Sequence, residues 1–203
     1  MSLCTISYKY FIGAFRLMAK EIERKWIYNY DFGDPANICP DDILYIRDYY
    51  FNQYTRLRNM EGVWYITIKS DGDLIREENE FTIDKSEIDF VPTPMLRKYR
   101  MIKEIDGITY EVNIFIDIPV DVTLVDGTEN ILPLVTIEAE LPCISTLVTP
   151  PEFCDEEITY VPEFYGYSLF SRLREKAKKS LHILKEKPAD IINMKDFLDK
   201  RKS

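Results

Sequence analysis

Glu21-Ile22-Glu23-Arg24-Lys25-Trp26 opens one segment of the chain and Val135-Thr136-Ile137-Glu138-Ala139-Glu140-Leu141 closes another. Both alternate charge with bulk at a period of two, the period of a β-strand. Glu21, Glu23 and Lys25 therefore share one strand face, and Glu138 and Glu140 share another. A half-buried strand ordinarily sets apolar residues against assorted polar ones. Here the polar side repeats carboxylates and cations in a fixed order, which points to a site for a divalent metal and a polyanion.

The surrounding sequence is strand-rich. Tyr, Ile, Val, Phe and Thr predominate from Glu21 to Leu141, and turn residues punctuate them. Met60-Glu61-Gly62, Ser70-Asp71-Gly72-Asp73, Asp106-Gly107 and Asp126-Gly127 read as hairpin turns. The pattern predicts strands at 21–29, 44–52, 54–59, 63–69, 74–83, 97–105, 108–117 and 134–141, with a further one at 120–125. A loop or short helix is expected between Asp84 and Met95. From Ser168 the spacing of Leu169, Phe170, Leu173, Ala177, Leu181 and Leu184 predicts a helix that Pro188 ends, with a short second helix after it. The expected fold is α+β: an antiparallel, eight- to nine-stranded closed β-barrel, or tunnel, with a charged lumen, flanked by helices that include a C-terminal one. The domain reading is an N-terminal extension over 1–17, a tunnel domain with its C-terminal helix over 18–187, and a basic tail over 188–203.

The same parity test collects one face from every strand. It gives Glu21, Glu23, Glu78, Glu80, Glu138 and Glu140, together with Lys25, Arg56, Arg58, Lys69, Arg76, Lys98 and Arg100. Their neighbours Ile22, Trp26, Leu57, Ile66, Ile68, Phe81, Tyr99, Ile137, Ala139 and Leu141 are apolar and need covering, a task expected of the helices. The implied barrel is inverted, apolar outside and charged within. Dry burial of so many charges would cost several kcal/mol each. The lumen must be wet and pair its charges, or be completed by ligands. Carboxylates at alternate positions suit a hard divalent cation, and arginine forks and lysines suit phosphate oxygens.

Composition bounds the alternatives. The chain has 203 residues, 46% of them hydrophobic, and a net charge of −9. An acidic chain is a poor nonspecific nucleic-acid binder, and no apolar run reaches the ~20 residues that span a bilayer. Segment 164–203 is the exception, with 11 Lys/Arg against 5 Asp/Glu, and reads as a solvated basic face. Cys4, Cys39, Cys143 and Cys154 show no CxxC or zinc spacing and read as reduced thiols of a cytoplasmic protein. His182 is the only histidine and reads as surface or packing; Glu104, Asp106 and Glu111 read as surface charges, and Trp64 as core. The aromatics Tyr45, Tyr49, Tyr50, Phe51 and Tyr54 read as core.

These residues resemble the CYTH superfamily, the triphosphate tunnel metalloenzymes, and in pattern its bacterial inorganic triphosphatases. The ExExK motif is met by Glu21, Glu23 and Lys25. The RLR-type strand is met by Arg56-Leu57-Arg58, and the LTLK-type strand by Ile66-Thr67-Ile68-Lys69. RxExE is met by Arg76, Glu78 and Glu80, KxR by Lys98 and Arg100, and the late ExE by Glu138 and Glu140. The order agrees throughout, and the tail from Pro150 to Leu169 is similar to the family's closing segment and plug helix. The resemblance implies a tunnel that binds a triphosphate and hydrolyses or cyclises it with Mg²⁺ or Mn²⁺. It implies metal ligation by Glu21, Glu23, Glu138 and Glu140. Glu78 and Glu80 would support the metal or orient water. Lys25, Arg56, Arg58, Lys69, Arg76, Lys98 and Arg100 would cradle the substrate. Tyr50 falls where the bacterial enzymes place a tyrosine that works with a lysine, a catalytic role set against packing, the reading its aromatic neighbours favour. Asn113 departs from an Asp common in the family, and segment 117–133 is longer than in compact members. The expected activity is hydrolysis of inorganic tripolyphosphate. Thiamine or nucleoside triphosphate hydrolysis, adenylate cyclisation and non-catalytic ligand binding are the alternatives. The expected partner is a small-molecule triphosphate, without nucleic acid or membrane, and a homodimer is left open.

Overall fold

Strand periodicity and tight turns produce nine strands in a computed structural model that describes residues 19–71, 75–88 and 93–186, with the side chains of 19–21, 75–76 and 181–186 outside that description. The strands are β1 (Ala19–Tyr28), β2 (Asp42–Tyr50), β3 (Thr55–Met60), β4 (Val63–Lys69), β5 (Ile75–Ile83), β6 (Leu96–Ile105), β7 (Ile108–Thr123), β8 (Glu129–Glu140) and β9 (Cys154–Glu157). One helix, α1 (Gly166–Glu186), follows. The sheet is antiparallel in the order β5-β4-β3-β2-β6-β7-β8-β1-β9. The first residues of β1 also pair with β5, Ala19 through Ile22 against Glu78 back to Ile75. One end of the order, β5, therefore meets the penultimate strand β1, but over only four residues of each. Farther along, β9 occupies that edge of β1 at Trp26 and Tyr28. The expected closed barrel is not confirmed: the structure is an antiparallel nine-stranded sheet in which β5, at one end of the order, reaches β1 over a short ladder and β9 stays at the other end.

Two turns show why the hairpins fall where they do. Glu61-Gly62 and Asp106-Gly107 both have positive φ at both residues, the two-residue geometry that matches strand twist and needs Gly at its second position. The predicted strands at 108–117 and 120–125 are one strand, β7, whose register against β8 shifts between Phe115 and Pro119. The short strand β9 was not expected. Neither the proposed extension 1–17, the tail 188–203 nor a second C-terminal helix falls within the described residues.

The outer face is covered differently from expectation. Trp26 and Tyr28 of β1, Tyr110 and Val112 of β7, and Val135, Ile137 and Ala139 of β8 are buried in one cluster. The cover is not helical bundle but short 3₁₀ turns at Tyr30–Phe32 and Pro35–Ile38, plus Leu141 and Phe153 from the chain around β9. Elsewhere on this outer face Ile68, Phe81 and Tyr99 are each 45% exposed, with Tyr99 packed 5.3 Å from Tyr45, ring to ring. Trp64 is buried as expected.

Helix α1 closes one end of the inner face. Leu96, Phe115 and Leu134, each in phase with charged residues of its strand, form a second buried cluster with Leu169 and Phe170 of α1. Ile27, Tyr49 and Tyr50 pack against it. The inner rows thus run from charge into an apolar plug, whose burial stabilises at about 1.5–3 kcal/mol per large side chain. Among the described residues no helix is long and apolar enough to cross a membrane.

The plug has a specific fit. A Cβ placed on Gly166 would lie 2.0 Å from the Tyr50 hydroxyl oxygen. Gly166→Ala is therefore expected to destabilise by about 1–3 kcal/mol through overpacking, and Tyr50→Phe in that background to recover part of the loss. Urea unfolding of the single and double variants checks this; an undiminished Gly166→Ala would contradict the contact.

Candidate active site: a charged inner face

The strands deliver the side chains by parity and register. On β1, Glu23 and Lys25 are both buried. Lys25 sits opposite Glu138 and Glu23 opposite Glu140 in the β1–β8 ladder. Lys25 Nζ lies 2.7 Å from Glu138 and 3.9 Å from Glu23, and its backbone N–H donates to Thr159 Oγ1 at 3.0 Å. On β3, Arg58 makes a two-pronged bond to Asp48, Nε to Oδ1 at 2.8 Å and Nη2 to Oδ2 at 3.0 Å. Arg56 donates to Thr67 Oγ1 at 3.1 Å, and that hydroxyl donates to Glu80 at 2.9 Å. Arg56 also lies 3.8 Å from both Asp48 and Glu78 and 3.9 Å from Glu80. Lys69 pairs with Glu78 at 2.5 Å, its cross-strand partner in the β4–β5 ladder.

On β6, Arg100 bridges three acceptors: Glu111 at 2.5 Å, Asn113 at 2.9 Å and Glu138 at 3.2 Å. Asn113 is fully buried and donates to Glu138 at 3.1 Å. It thus joins a guanidinium to a carboxylate through its two ends, as an amide can and a second carboxylate cannot. Lys98 is buried against Phe115, Nζ 5.4 Å from the ring centroid. Of the expected site residues, Glu23, Lys25, Arg100 and Glu138 fall in one network of ion pairs and hydrogen bonds, and Arg56, Arg58, Lys69, Glu78 and Glu80 in a second, with Lys98 buried near Arg100, Arg58, Glu138 and Asp48. Glu140 is placed beside the first by the ladder. Glu21 and Arg76 are cross-strand neighbours in the β1–β5 ladder, but their side chains lie outside the described ones, as does that of His182. Tyr50 stands in the plug, its ring 5.7 Å from Phe170 and 6.4 Å from Tyr167.

Two members were missed. Asp48 is 1% exposed and anchors both arginines of β3. Its signal was parity with Tyr50 on β2, obscured because Leu44 and Ile46 on the same face are apolar. Glu111 was read as a surface charge, but its side chain is only 13% exposed and pairs with Arg100. It shares its face with Asn113 and stands opposite Glu138. Glu104 and Asp106 are exposed, as expected.

Electrostatics follow from this crowding. Burial alone would raise the Asp48 carboxyl, but Arg58 and Arg56 overcome it and hold the group well below the usual carboxylate range. Burial likewise opposes ionisation of Glu138, and Lys25, Lys98 and Arg100 reverse it, so its carboxyl is also held low. Glu111 is pushed up by burial and by Glu138, with Arg100 as a partial offset. The Arg56 Nε is buried without a hydrogen-bond partner, a donor suited to an anion's oxygen. For a metal, Glu23, Glu138 and Glu140 offer oxygen donors from adjacent strands, the chemistry a hard cation takes. Among the described residues, however, no three acidic groups converge as a ready cage, and Glu138 is held by Lys25, Arg100 and Asn113.

No model of a protein family matches the chain, and no curated protein matches it. Among solved structures it is similar to the inorganic triphosphatase NE1496, at 22% identity and a TM-score of 0.47 over 75% of this chain and 95% of that one. A second crystal structure of NE1496 gives 22% and 0.46 over 73% and 96%. A candidate adenylate cyclase from Bacillus halodurans gives 17% and 0.43 over 66% and 97%. Likeness at this level assigns no residue a role.

The Asp48 anchor has a pH signature. An unfolded Asp ionises near ~4 and the folded group well below it. Its contribution is therefore complete above that value and is lost as pH falls toward the folded pKa. Wild-type unfolding free energy should drop between about pH 5 and pH 2. Asp48→Asn should be weaker by about 3 kcal/mol at pH 7 and show a shallower acid slope. Parallel curves in denaturant titrations would remove Asp48 from the account. By motif order and by the placement of the described motif residues, the chain resembles the CYTH superfamily and, in pattern, its bacterial triphosphatases.

Proposed function

We propose that the strands enclose a tunnel in which a linear triphosphate, above all inorganic tripolyphosphate, is bound and hydrolysed at a terminal phosphorus. The observation that carries this reading is the convergence of Lys25, Arg56, Arg58, Lys69, Lys98 and Arg100, from four strands, on one inner face. Surface ion pairs have no need of such convergence; a chain of phosphoryl groups does. The arginine forks match phosphate oxygens in pairs. Asp48, Thr67 and Asn113 fix those forks before substrate arrives, so little reorganisation is left for the transition state. Lys25 and Lys69 add charge where the bridging and leaving oxygens gain it.

Glu23, Glu138 and Glu140, with Glu21, are the residues that would hold Mg²⁺ or Mn²⁺. Such an ion supplies neutralisation of phosphate charge and a more acidic water. Glu78 and Glu80, set against Lys69 and Arg56, accept hydrogen bonds and orient the attacking water. The apolar plug of Leu96, Phe115, Leu134, Leu169 and Phe170 keeps bulk water from that end. With charged and hydroxyl groups in the described set, the site reads phosphate rather than a base or thiazole. That favours tripolyphosphate over thiamine or nucleoside triphosphates and over cyclisation of ATP.

Phosphate release from tripolyphosphate, pyrophosphate, ATP and thiamine triphosphate, each with Mg²⁺ or Mn²⁺, decides the matter. Tripolyphosphate is expected to give orthophosphate and pyrophosphate fastest. Cyclic AMP from ATP would convert the reading to a cyclase, and tight binding without any product would convert it to a sensor. Glu138→Gln should lower turnover at least about 100-fold with the fold retained by circular dichroism. Arg58→Ala should raise KM and lower kcat together, because its fork acts in both ground and transition states. Unchanged turnover in Glu138→Gln would refute that glutamate's role.

A further inference from the structure

The inner face pairs its cations unevenly. Lys25, Arg56, Arg58, Lys69 and Arg100 each lie within 4.0 Å of a carboxylate oxygen. Lys98 has no carboxylate partner among the described residues, although it is only 5% exposed. Its flanks are hydrophobic: Ile46 and Phe115 are its cross-strand neighbours, and both are buried.

The charged groups that face Lys98 come from each neighbouring strand. Arg100 stands on its own strand, Arg58 on β3, Asp48 on β2, Glu138 on β8 and Glu111 on β7. The carboxylates among them are committed elsewhere. Asp48 is gripped by both prongs of Arg58. Glu138 is shared by Lys25, Arg100 and Asn113, and Glu111 is taken by Arg100. A buried ammonium so placed lacks a counterion and has arginines as neighbours. An arginine in that position would have to stay charged, whereas a lysine can release its proton.

We propose that Lys98 is a proton-coupled phosphoryl anchor: uncharged while no anion faces it, it takes a proton from solvent as a phosphoryl group seats between it, Arg58 and Arg100. The proposal rests on reading the inner face as a triphosphate site and adds a coupling of that site to pH. Burial, with Arg100 and Arg58 beside it, pushes the Lys98 amine well below the usual lysine range, and Glu138 and Asp48 offset this only in part. An arriving phosphoryl group supplies the missing negative charge and reverses the balance. The proton enters from bulk water and remains on Nζ for as long as the anion is bound. Uptake links affinity to pH, so binding weakens as pH rises through the range in which the free amine is neutral.

The test uses the full chain with ¹³C at the lysine Cε positions and inorganic tripolyphosphate as probe, in metal-free buffer. Lys98→Arg removes one signal and assigns it. The expected result is a Lys98 signal that titrates well below those of the surface lysines without tripolyphosphate and shifts to the ammonium position at the same pH with it. Calorimetry in two buffers of different ionisation enthalpy should then show proton uptake in the wild type and about one proton less in Lys98→Arg. The ratio of the two dissociation constants should change by up to about tenfold per pH unit. A Lys98 signal at the ammonium position throughout, or at the amine position with and without tripolyphosphate, would overturn the proposal. Neither readout needs turnover. Proton-coupled binding without phosphate release would defeat the hydrolase reading and leave this one standing; hydrolysis with Lys98 charged throughout would do the reverse.

Discussion

Buried charge must find a partner, and the inner face of this sheet is organised by that requirement. Asp48 is the clearest case. It is almost wholly buried, and it is tolerated there because Arg58 closes on it with two hydrogen bonds while Arg56 stands at 3.8 Å. Removing either side of such a pair leaves an uncompensated charge at a cost of about 3–5 kcal/mol. The same logic runs from Lys25 through Glu138 to Arg100 and Glu111. These networks add little net stability over an apolar core. What they provide is a set of cations held in fixed directions, which an apolar core cannot do.

The plug and the cover explain how the sheet sustains this interior. Strands with one charged face must bury the other, and β1, β7 and β8 do so under the 3₁₀ turns and the chain around β9. At one end the inner rows themselves turn apolar and receive Leu169 and Phe170 of α1. Stability thus comes from two apolar clusters that bracket the charged region. Among the described residues the outer surface at Ile68, Phe81 and Tyr99 is less covered, each being 45% exposed.

Much of this was legible because the strand period is fixed. Once Glu23 and Lys25 are on a strand, they must share a face, and the structure pairs them across β1–β8 with Glu140 and Glu138. Register was not legible. Nothing local announces that Glu111 faces Glu138, since that depends on the pairing of β7 with β8. It therefore looked like a solvated charge. Asp48 was hidden by its apolar neighbours Leu44 and Ile46, which make its strand face read as core. The helical cover was expected because apolar strand faces usually meet helices; here short turns and one extra strand were sufficient. α1 starts at Gly166, three residues before the first periodic residue Leu169, and the Tyr50 hydroxyl pressed against Gly166 leaves no room there for a Cβ, a contact no periodicity encodes.

The central claim is that cations from separate strands form one seat for a chain of phosphates. A crystal structure of the protein soaked with inorganic tripolyphosphate addresses it most directly. The account predicts continuous density for the three phosphoryl groups between Arg56, Arg58, Lys98 and Arg100. Density confined to the exposed basic side chains of α1, with the inner face unliganded at saturating tripolyphosphate, would contradict it.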